Sequence, residues 1–210
     1  MTPRIGHLPT DEALHSRLHV YAELLRKWQT KINLVGPSTL SELWVRHLED
    51  SLQLLPIAGA WSQWVDLGSG GGFPGLVIAL ASQGQGQTVH LVESDKRKAA
   101  FLREVSRETQ VKVEIHVDRI EKVLPGLVSQ VHVDVVSARA LAPMRELVEY
   151  ARPALEKGAV GLFLKGKALP SELTELAPGA SFNLTLVDSR TDSNAKIVVV
   201  RGYDIRPASV

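Results

Sequence analysis

The sequence predicts an α/β fold in which helices cover a mostly parallel, seven-stranded doubly wound sheet. Three observations support it. Short apolar strand segments alternate with helical segments from residue 64 onwards, the connections between them are short, and a glycine-rich segment follows the first strand. The last two predicted strands are joined by eight residues, too few for a helical crossover, so they are expected to pair antiparallel. We expect one compact unit, with an N-terminal helical cap at residues 1–62 and a sheet domain at residues 63–210.

The cap is predicted from helical periodicity. A first helix is expected to begin near Thr10, a good N-cap residue, and its apolar positions recur every three or four residues at Leu14, Leu18, Tyr21, Leu25 and Trp28. Residues 33–37 interrupt this pattern and indicate a turn. A second helix is expected from Ser38 until just before Pro56.

The sheet domain follows by alternation of the two patterns. Strands are predicted at residues 64–67, 88–93, 111–117, 131–137, 159–164, 182–187 and 196–201. Helices are predicted at residues 76–81, 95–109, 143–156 and 171–176. Since ligands of such sheets bind beyond the carboxyl ends of the strands, a site is expected at that edge.

Composition excludes several classes of protein. Twenty-four basic and 23 acidic residues leave a formal net charge of +1, so the chain is not a polycation held to nucleic acid by bulk charge. The absence of cysteine excludes a disulfide framework and a thiolate metal site. His15 and His19 lie one helical turn apart but lack a third ligand nearby, so no metal is expected. No apolar run approaches the roughly 20 residues that span a bilayer, so we expect a cytoplasmic protein without a membrane partner.

The strongest chemical signal is a glycine loop directly after the first strand. Asp66 is followed by Gly68, Gly70 and Gly72, which allow sharp turns and close approach of a ligand to the backbone. Residues 70–75 also satisfy the dinucleotide pattern GxGxxG, which alone is a weak signal. In that pattern the first glycine follows the strand at once, whereas here the turn opens at Gly68. A carboxylate ahead of the loop suits a cationic ligand, so S-adenosylmethionine is favoured, with S-adenosylhomocysteine as product.

The ends of the other strands agree with a class I S-adenosylmethionine-dependent methyltransferase fold, which is Rossmann-like. Glu93 ends the second strand, where a carboxylate can accept hydrogen bonds from both ribose hydroxyls. Polar residues 118–121 follow the third strand, where adenine is expected. Residues 137–140 end the fourth strand, where the methyl group and the substrate are expected.

Several segments together resemble one family. They are residues 33–35, the RHLEDS segment at residues 46–51, residues 66–75, residues 93–97 with Phe101 and Leu102, residues 137–140, and Lys165 with Gly166. The chain resembles, over nearly its whole length, the bacterial 16S ribosomal RNA guanine-N7 methyltransferases of the RsmG or GidB family. The RHLEDS segment and the Pro-Gly after the loop are the specific part, because the loop alone indicates only a methyltransferase.

The resemblance implies methyl transfer from S-adenosylmethionine to N7 of one guanine in 16S ribosomal RNA, free or within the small ribosomal subunit. It places cofactor contacts on Gly68, Phe73, Ile120, Glu121 and Arg139. Asp66, Gly70, Gly72 and Glu93 join this set from the loop and strand-end arguments above. Residues after Gly166, apart from the strands already predicted there, receive no role.

Guanine N7 carries a free in-plane lone pair and no proton, so an in-line displacement needs no general base. The expected task is to hold the reacting atoms collinear. Arg139 and Lys165 end the fourth and fifth strands at the edge where the loop lies, and we expect them to orient the substrate. Arg139 can reach the cofactor carboxylate or the base, and Lys165 a phosphate or guanine O6; a solvated lysine at the strand end is the alternative interpretation for Lys165.

Candidate RNA contacts come from two places. Lys96, Arg103 and Arg107 share one face of the helix after Glu93, although interleaved acids make a solvated face equally plausible. Only the family resemblance indicates that Asn33, Arg46 and His47 lie at the opening of the cofactor site; the spacing of Arg46 and His47 alone indicates an exposed face. Lys165 completes the set.

Three other classes of function are weighed against this one. A methyltransferase for another RNA, a protein or a small molecule shares the cofactor residues and differs at the RHLEDS segment and Lys165. A nicotinamide-dependent reductase needs a substrate domain for which no residues remain, and a non-catalytic nucleic-acid binder does not need Asp66 together with Glu93. A monomer is the default for the oligomeric state.

Overall fold

A computed structural model describes residues 12–176 and 180–205 of the chain. Its strands are β1 (Gln63–Leu67), β2 (Thr88–Val92), β3 (Glu114–His116), β4 (Val135–Arg139), β5 (Val160–Lys165), β6 (Ala180–Asp188) and β7 (Lys196–Ile205). They form one sheet in the order β3-β2-β1-β4-β5-β7-β6. Strand β7 pairs antiparallel with both of its neighbours, and the other pairs are parallel. The predicted mostly parallel sheet with an antiparallel C-terminal hairpin is confirmed.

The helices alternate with these strands. They are α1 (Glu12–Gln29), α2 (Asp50–Leu52), α3 (Leu55–Ala58), α4 (Gly75–Ala81), α5 (Lys96–Thr109), α6 (Ile120–Gln130), α7 (Met144–Leu155) and α8 (Leu169–Thr174). The Thr10 cap predicted for the first helix lies outside the described residues.

Two apolar clusters cover the two faces of the sheet. On one face the cap packs with α4 and α5, around the fully buried side chains of Leu18, Trp64 and Phe101. On the other face α6 and α7 pack over Val136 and Phe163. Because α1 contributes to the first cluster, the cap and the sheet share one core.

The register of the central strands positions the site. Leu67 at the end of β1 is opposite Val92 of β2 and Ala138 of β4. The next residues along each chain segment are Gly68, Glu93 and Arg139. The three predicted site segments therefore leave the sheet side by side.

The prediction of one regular second helix in the cap is wrong. Residues Pro37–Glu42 form a 3-10 helix and Trp44–Glu49 a π-helical segment before the short helices α2 and α3. The Ser51 hydroxyl donates to the carbonyl of His47 at 2.6 Å, a side-chain bond that competes with regular backbone pairing. π-helical segments are frequent at functional sites, and this one holds His47 against the sheet edge.

A further helix and the starts of two strands also differ from the prediction, and one of these strands, β3, begins at Glu114 rather than 111. Helix α6 is not predicted at all, because Pro125 and Gly126 lie in its interior and disguise its periodicity. Strand β4 begins at Val135 rather than 131, since the Asp134 carboxylate accepts hydrogen bonds from the amides of Ser62 and Gln63 and leads the chain into the sheet.

Candidate functional site

A cavity of about 750 Å³ opens at the carboxyl edge of the sheet, where the sequence predicts a site. The glycine loop after β1 and the end of β4 form its floor, and segments from both the cap and the C-terminal half form its walls. Its lining includes Asn33, Thr39, Arg46, His47, Asp50, Gly68, Gly70, Phe73, Lys98, Arg139, Lys165, Lys167, Glu172, Ser189, Thr191, Asp192 and Lys196.

The glycine loop adopts a backbone that side chains disfavour. Gly68, Gly70 and Gly72 have φ of 64°, 55° and 93°. A Cβ added at Gly70 would meet only the loop's own carbonyl of Gly68, at 3.7 Å, so this residue faces open space. A Cβ at Gly72 would lie 2.6 Å from the Tyr21 hydroxyl oxygen. The loop thus exposes Gly70 to a ligand and packs Gly72 against the cap.

Glu93 fixes the loop from the neighbouring strand. Its buried carboxylate accepts from the amide of Gly70 at 2.8 Å and from the amide of Asp95 at 2.7 Å. Each carboxylate oxygen has a second lone pair, so Glu93 can also accept from a ligand diol. The side chain links the loop to the start of α5, where the Asp95 carboxylate caps the helix.

Asp66 lies beneath the loop rather than in the cavity lining. It is fully buried, and its Oδ1 accepts from the Ser137 hydroxyl at 2.8 Å, which itself accepts from the indole of Trp64. Its Oδ2 has no hydrogen-bond partner in the described part of the chain. Burial raises the pKa of Asp66 to about 6, against the hydrogen bond from Ser137 that lowers it. A buried, ionisable carboxylate therefore underlies the cavity floor.

Arg139 joins the sheet to the cap. Its Nη1 donates to the carbonyl of Arg46 at 2.8 Å and lies 3.6 Å from Asp50 Oδ2, while its Nη2 donates to Nδ1 of His47. The guanidinium carbon also lies 4.8 Å from the centre of the Phe73 ring, which adds a cation–π contact. Arg139 is thus held in place from three sides, and its remaining donors are left for a ligand.

His47 is neutral in this arrangement. Burial, followed by the charges of Arg139 and Arg46, lowers its pKa from 6.5 to about 3. Arg139 can only donate, so Nδ1 accepts and Nε2 carries the proton. The Thr39 hydroxyl lies 2.8 Å from Nε2 and accepts from it, because that hydroxyl itself donates to the carbonyl of Gly36.

Asp50 connects the cap to the turn between β6 and β7. Its Oδ1 accepts from the Thr191 hydroxyl at 2.6 Å and from the Gln53 amide at 2.8 Å. Gln53 in turn accepts from the amide of Arg190 at 2.9 Å. The cap and this turn therefore form one continuous wall of the cavity.

Lys165 has an acidic partner that the sequence does not reveal. Its Nζ lies 2.6 Å from Glu172 Oε2 and donates to the carbonyl of Ala142 at 2.9 Å. The same Glu172 oxygen accepts from the amide of Met144 at 2.8 Å. Both side chains are mostly buried, with 9% and 15% of their surfaces exposed.

The structure divides the predicted site residues into three groups. Eight line the cavity together: Asn33, Arg46, His47, Gly68, Gly70, Phe73, Arg139 and Lys165. Asp66, Gly72 and Glu93 support its floor without lining it, and Ile120 and Glu121 lie at the start of α6 outside the lining. Lys96, Arg103 and Arg107 are exposed on α5, also outside the lining.

Several lining residues were missed from the sequence. Lys98 had a usable signal, because the capping Asp95 places it in the first turn of a helix that begins at the sheet edge. Glu172, Ser189 and Thr191 had none, since only tertiary contacts bring them to the cavity.

The described residues include no cluster of three or more side chains suited to holding a metal ion. Within the same part of the chain, no helix combines the length and the apolar character needed to cross a membrane.

Comparison with known proteins identifies relatives for nearly all of the chain. The family model GidB, described as rRNA small subunit methyltransferase G, matches residues 14–196. Ribosomal RNA small subunit methyltransferase G of Methylorubrum populi is 50% identical over 87% of this chain and 86% of that protein. The protein of the same name from Gluconobacter oxydans is 43% identical over 90% of this chain and 94% of its own length.

Solved structures share the fold at much lower identity. Cofactor-bound Rv0187 from MTB superposes with a TM-score of 0.60 at 17% identity, over 95% of this chain and 94% of that chain. The O-methyltransferase from Bacillus cereus, in complex with SAH, has a TM-score of 0.56 at 15% identity over 93% of both chains. These likenesses confirm the methyltransferase fold class.

Proposed function

The chain belongs to the rRNA small subunit methyltransferase G family, and we propose that it transfers a methyl group from S-adenosylmethionine to N7 of a specific guanine in 16S ribosomal RNA. One observation carries this proposal. The family match over residues 14–196 includes the glycine loop and the two walls that face it, so every residue that lines the cavity lies within the matched range.

The residues around the loop fit S-adenosylmethionine. Gly70 presents bare backbone to the cavity, and Glu93 beside it has lone pairs to accept from the ribose hydroxyls. The carboxylate of Asp66 lies buried below the loop, and its negative charge favours a cationic ligand above the loop. We place the adenine toward Ile120 and Glu121, and the methionine carboxylate toward Arg139.

S-Adenosylmethionine supplies an electrophilic methyl group on a sulfonium. The protein's task is positional, because N7 attacks with a lone pair and no proton has to be removed. Holding the reacting atoms in line can lower the barrier by several kcal/mol, up to roughly 7–11 in favourable cases. Arg139, fixed by His47, Asp50 and Phe73, is suited to this task because its own position is already determined. Lys165 is the second orienting residue in our proposal.

RNA is proposed to approach over the cavity mouth. Asn33 and Arg46 lie on the cap side of the mouth, and Lys98 and Lys167 add positive charge around it. The exposed Lys96, Arg103 and Arg107 on α5 are proposed as outer phosphate contacts. The partner in this proposal is 16S ribosomal RNA or the small ribosomal subunit, and the protein acts as a cytoplasmic monomer.

The decisive experiment incubates the protein with radiolabelled S-adenosylmethionine and small ribosomal subunits that lack the modification, and then maps the label in the RNA. We expect one labelled guanine that becomes sensitive to the chemical cleavage specific for N7-methylated guanine. Label in another RNA, in a ribosomal protein or in a small molecule would contradict the N7 assignment and support the wider methyltransferase alternative.

A variant at Glu93 tests the cofactor half of the proposal. Glu93→Ala removes the carboxylate that holds Gly70 and faces the ribose, so we expect affinity for S-adenosylhomocysteine to fall at least tenfold by calorimetry. The matched control is Glu114→Ala, which removes an exposed carboxylate on β3. Unchanged affinity in the Glu93 variant would refute the ribose assignment.

A further inference from the structure

Three acidic side chains line the cavity in the part of the chain that the structure describes, and they differ in whether both carboxylate oxygens have protein partners. Asp50 is engaged by Thr191, Gln53 and Arg139 through both oxygens. Asp192 accepts from Asn194 with one oxygen and pairs with Arg46 through the other, at 3.3 Å. Glu172 uses only Oε2, which faces both Lys165 and the amide of Met144. Among these described residues, Oε1 of Glu172 is the carboxylate oxygen without a protein partner.

Lys165 has a donor to spare in the same place. An ammonium carries three protons, and the contacts with Glu172 and with the carbonyl of Ala142 occupy two of them. The pair therefore presents one N–H donor next to one carboxylate acceptor, with Nζ and Oε2 only 2.6 Å apart. Both residues line the cavity beyond the ends of β4 and β5, the side where the substrate is expected.

This order of donor and acceptor matches the Watson–Crick edge of guanine. Guanine presents the acceptor O6 beside the donor N1–H, with the N2 amino donors next in line. Adenine presents the reverse order, an N6 amino donor beside the acceptor N1. With adenine in the same position, the lysine donor would face the N6 amino donor and the glutamate acceptor would face the N1 acceptor. Buried polar groups mismatched in this way discriminate strongly between the two bases.

The charge change of the reaction favours a carboxylate at this edge. Methylation at N7 moves the positive charge from the sulfonium onto the purine, so N1–H becomes a stronger donor as the reaction proceeds. An ionised acceptor at N1–H therefore interacts more strongly with the transition state than with the substrate, which is the condition for accelerating the step. A lysine at O6 without its carboxylate would oppose the same charge.

We propose that the Lys165–Glu172 ion pair reads the Watson–Crick edge of the target guanine, with Lys165 donating to O6 and Glu172 Oε1 accepting from N1–H. This rests on the proposed function and adds the specificity element to it. It requires a guanine whose Watson–Crick edge is unpaired when it enters the cavity, because a base-paired guanine has O6 and N1–H already engaged.

The test compares wild-type protein with Glu172→Gln on unmodified small subunits under saturating cofactor. The amide oxygen of glutamine still accepts from the Met144 amide and preserves that local contact, whereas the charge is lost. We expect kcat to fall about 10²–10³-fold, while affinity for S-adenosylhomocysteine and KM for the subunit stay within threefold. The matched control, Glu175→Gln, alters an exposed acid just beyond α8 and should behave as wild type.

A second measurement needs no variant. In the presence of S-adenosylhomocysteine, guanosine monophosphate should shift NMR signals of residues 165–172 of the wild-type protein, and adenosine monophosphate should not. A variant kcat within threefold of wild type would overturn the proposal, as would equal shifts with the two nucleotides. If wild-type protein methylates no guanine N7, the proposed function fails instead, and this outcome is distinct because it appears before any variant is made.

Discussion

His47 and Arg139 show how a single proton organises the site. The Arg139 guanidinium can donate to Nδ1 only while His47 is neutral, and the low pKa of His47, about 3, keeps it neutral at every physiological pH. The neighbouring Thr39 accepts from the other ring nitrogen and so supports the same tautomer. The histidine is therefore an acceptor that positions an arginine, and it carries no proton to the reaction.

The same residue makes stability depend on pH. A histidine whose pKa falls from 6.5 unfolded to about 3 folded binds its proton only in the unfolded state, so stability is lost as pH falls below about 6.5. Between pH 7 and pH 5 we expect the free energy of unfolding to fall by about 2 kcal/mol more in wild type than in His47→Gln, as measured by urea titration. The exposed His132, changed to Gln as a control, should leave the wild-type difference intact. Equal pH dependence in wild type and His47→Gln would contradict the burial of a neutral ring.

At the scale of the elements, the glycine loop requires helix α4 to lie unusually close to the sheet. A Cβ at Gly75, the first residue of α4, would lie 2.5 Å from Asp66 Cβ and 2.6 Å from a methyl group of Leu91. The close approach places the loop directly above Asp66. The geometry of the floor thus depends on one helical residue that has no side chain.

Two glycine-to-alanine changes should therefore have opposite signs. Gly75→Ala overpacks this contact, and we expect it to lower the free energy of unfolding by about 1–3 kcal/mol. Gly126→Ala, inside α6 with open space around it, should raise it by about 0.5–1 kcal/mol. Urea unfolding of both variants measures the difference directly, and a neutral Gly75→Ala would show that α4 can shift away from β1.

The elements also show where prediction from sequence succeeds. The positions of the glycine loop, Glu93 and Arg139 were predictable, because each lies at the carboxyl end of a strand and the parallel register brings strand ends together. The π-helical segment was not, since its apolar spacing imitates an ordinary helix. Contacts such as Thr191 with Asp50, 141 residues apart, and Glu172 with Met144, 28 apart, leave no local pattern to read.

At the scale of the whole molecule, a net charge of +1 is compatible with an RNA partner because local charges are unevenly paired. Of the basic residues that line the cavity, Arg46, Arg139, Lys165 and Lys196 each have an acidic partner. In the described part of the chain, Lys98 and Lys167 form no ion pair. Attraction to phosphate therefore depends on few side chains around the mouth.

The salt dependence of RNA binding measures how many of these side chains contact phosphate. Each phosphate contact contributes about 0.7–0.9 to the slope of log K against log salt, so Lys167→Ala should reduce the magnitude of the slope by about that amount in filter-binding titrations. Lys31→Ala, an exposed change outside the cavity lining, should leave it unchanged. An unaltered slope for the Lys167 variant would place the RNA on another surface.

The shared wall of the cap and the β6–β7 turn has a consequence for how the protein is made. Arg139 is held by its ion pair with Asp50, and Asp50 accepts a hydrogen bond from Thr191. The ribosome adds Thr191 141 residues after Asp50. A nascent chain that has exposed the cap, the glycine loop and β4 still lacks this brace. The pocket therefore stays incomplete until the turn between β6 and β7 has been synthesised, so an enzyme proposed to modify ribosomal subunits gains its finished binding site well after its glycine loop has been made.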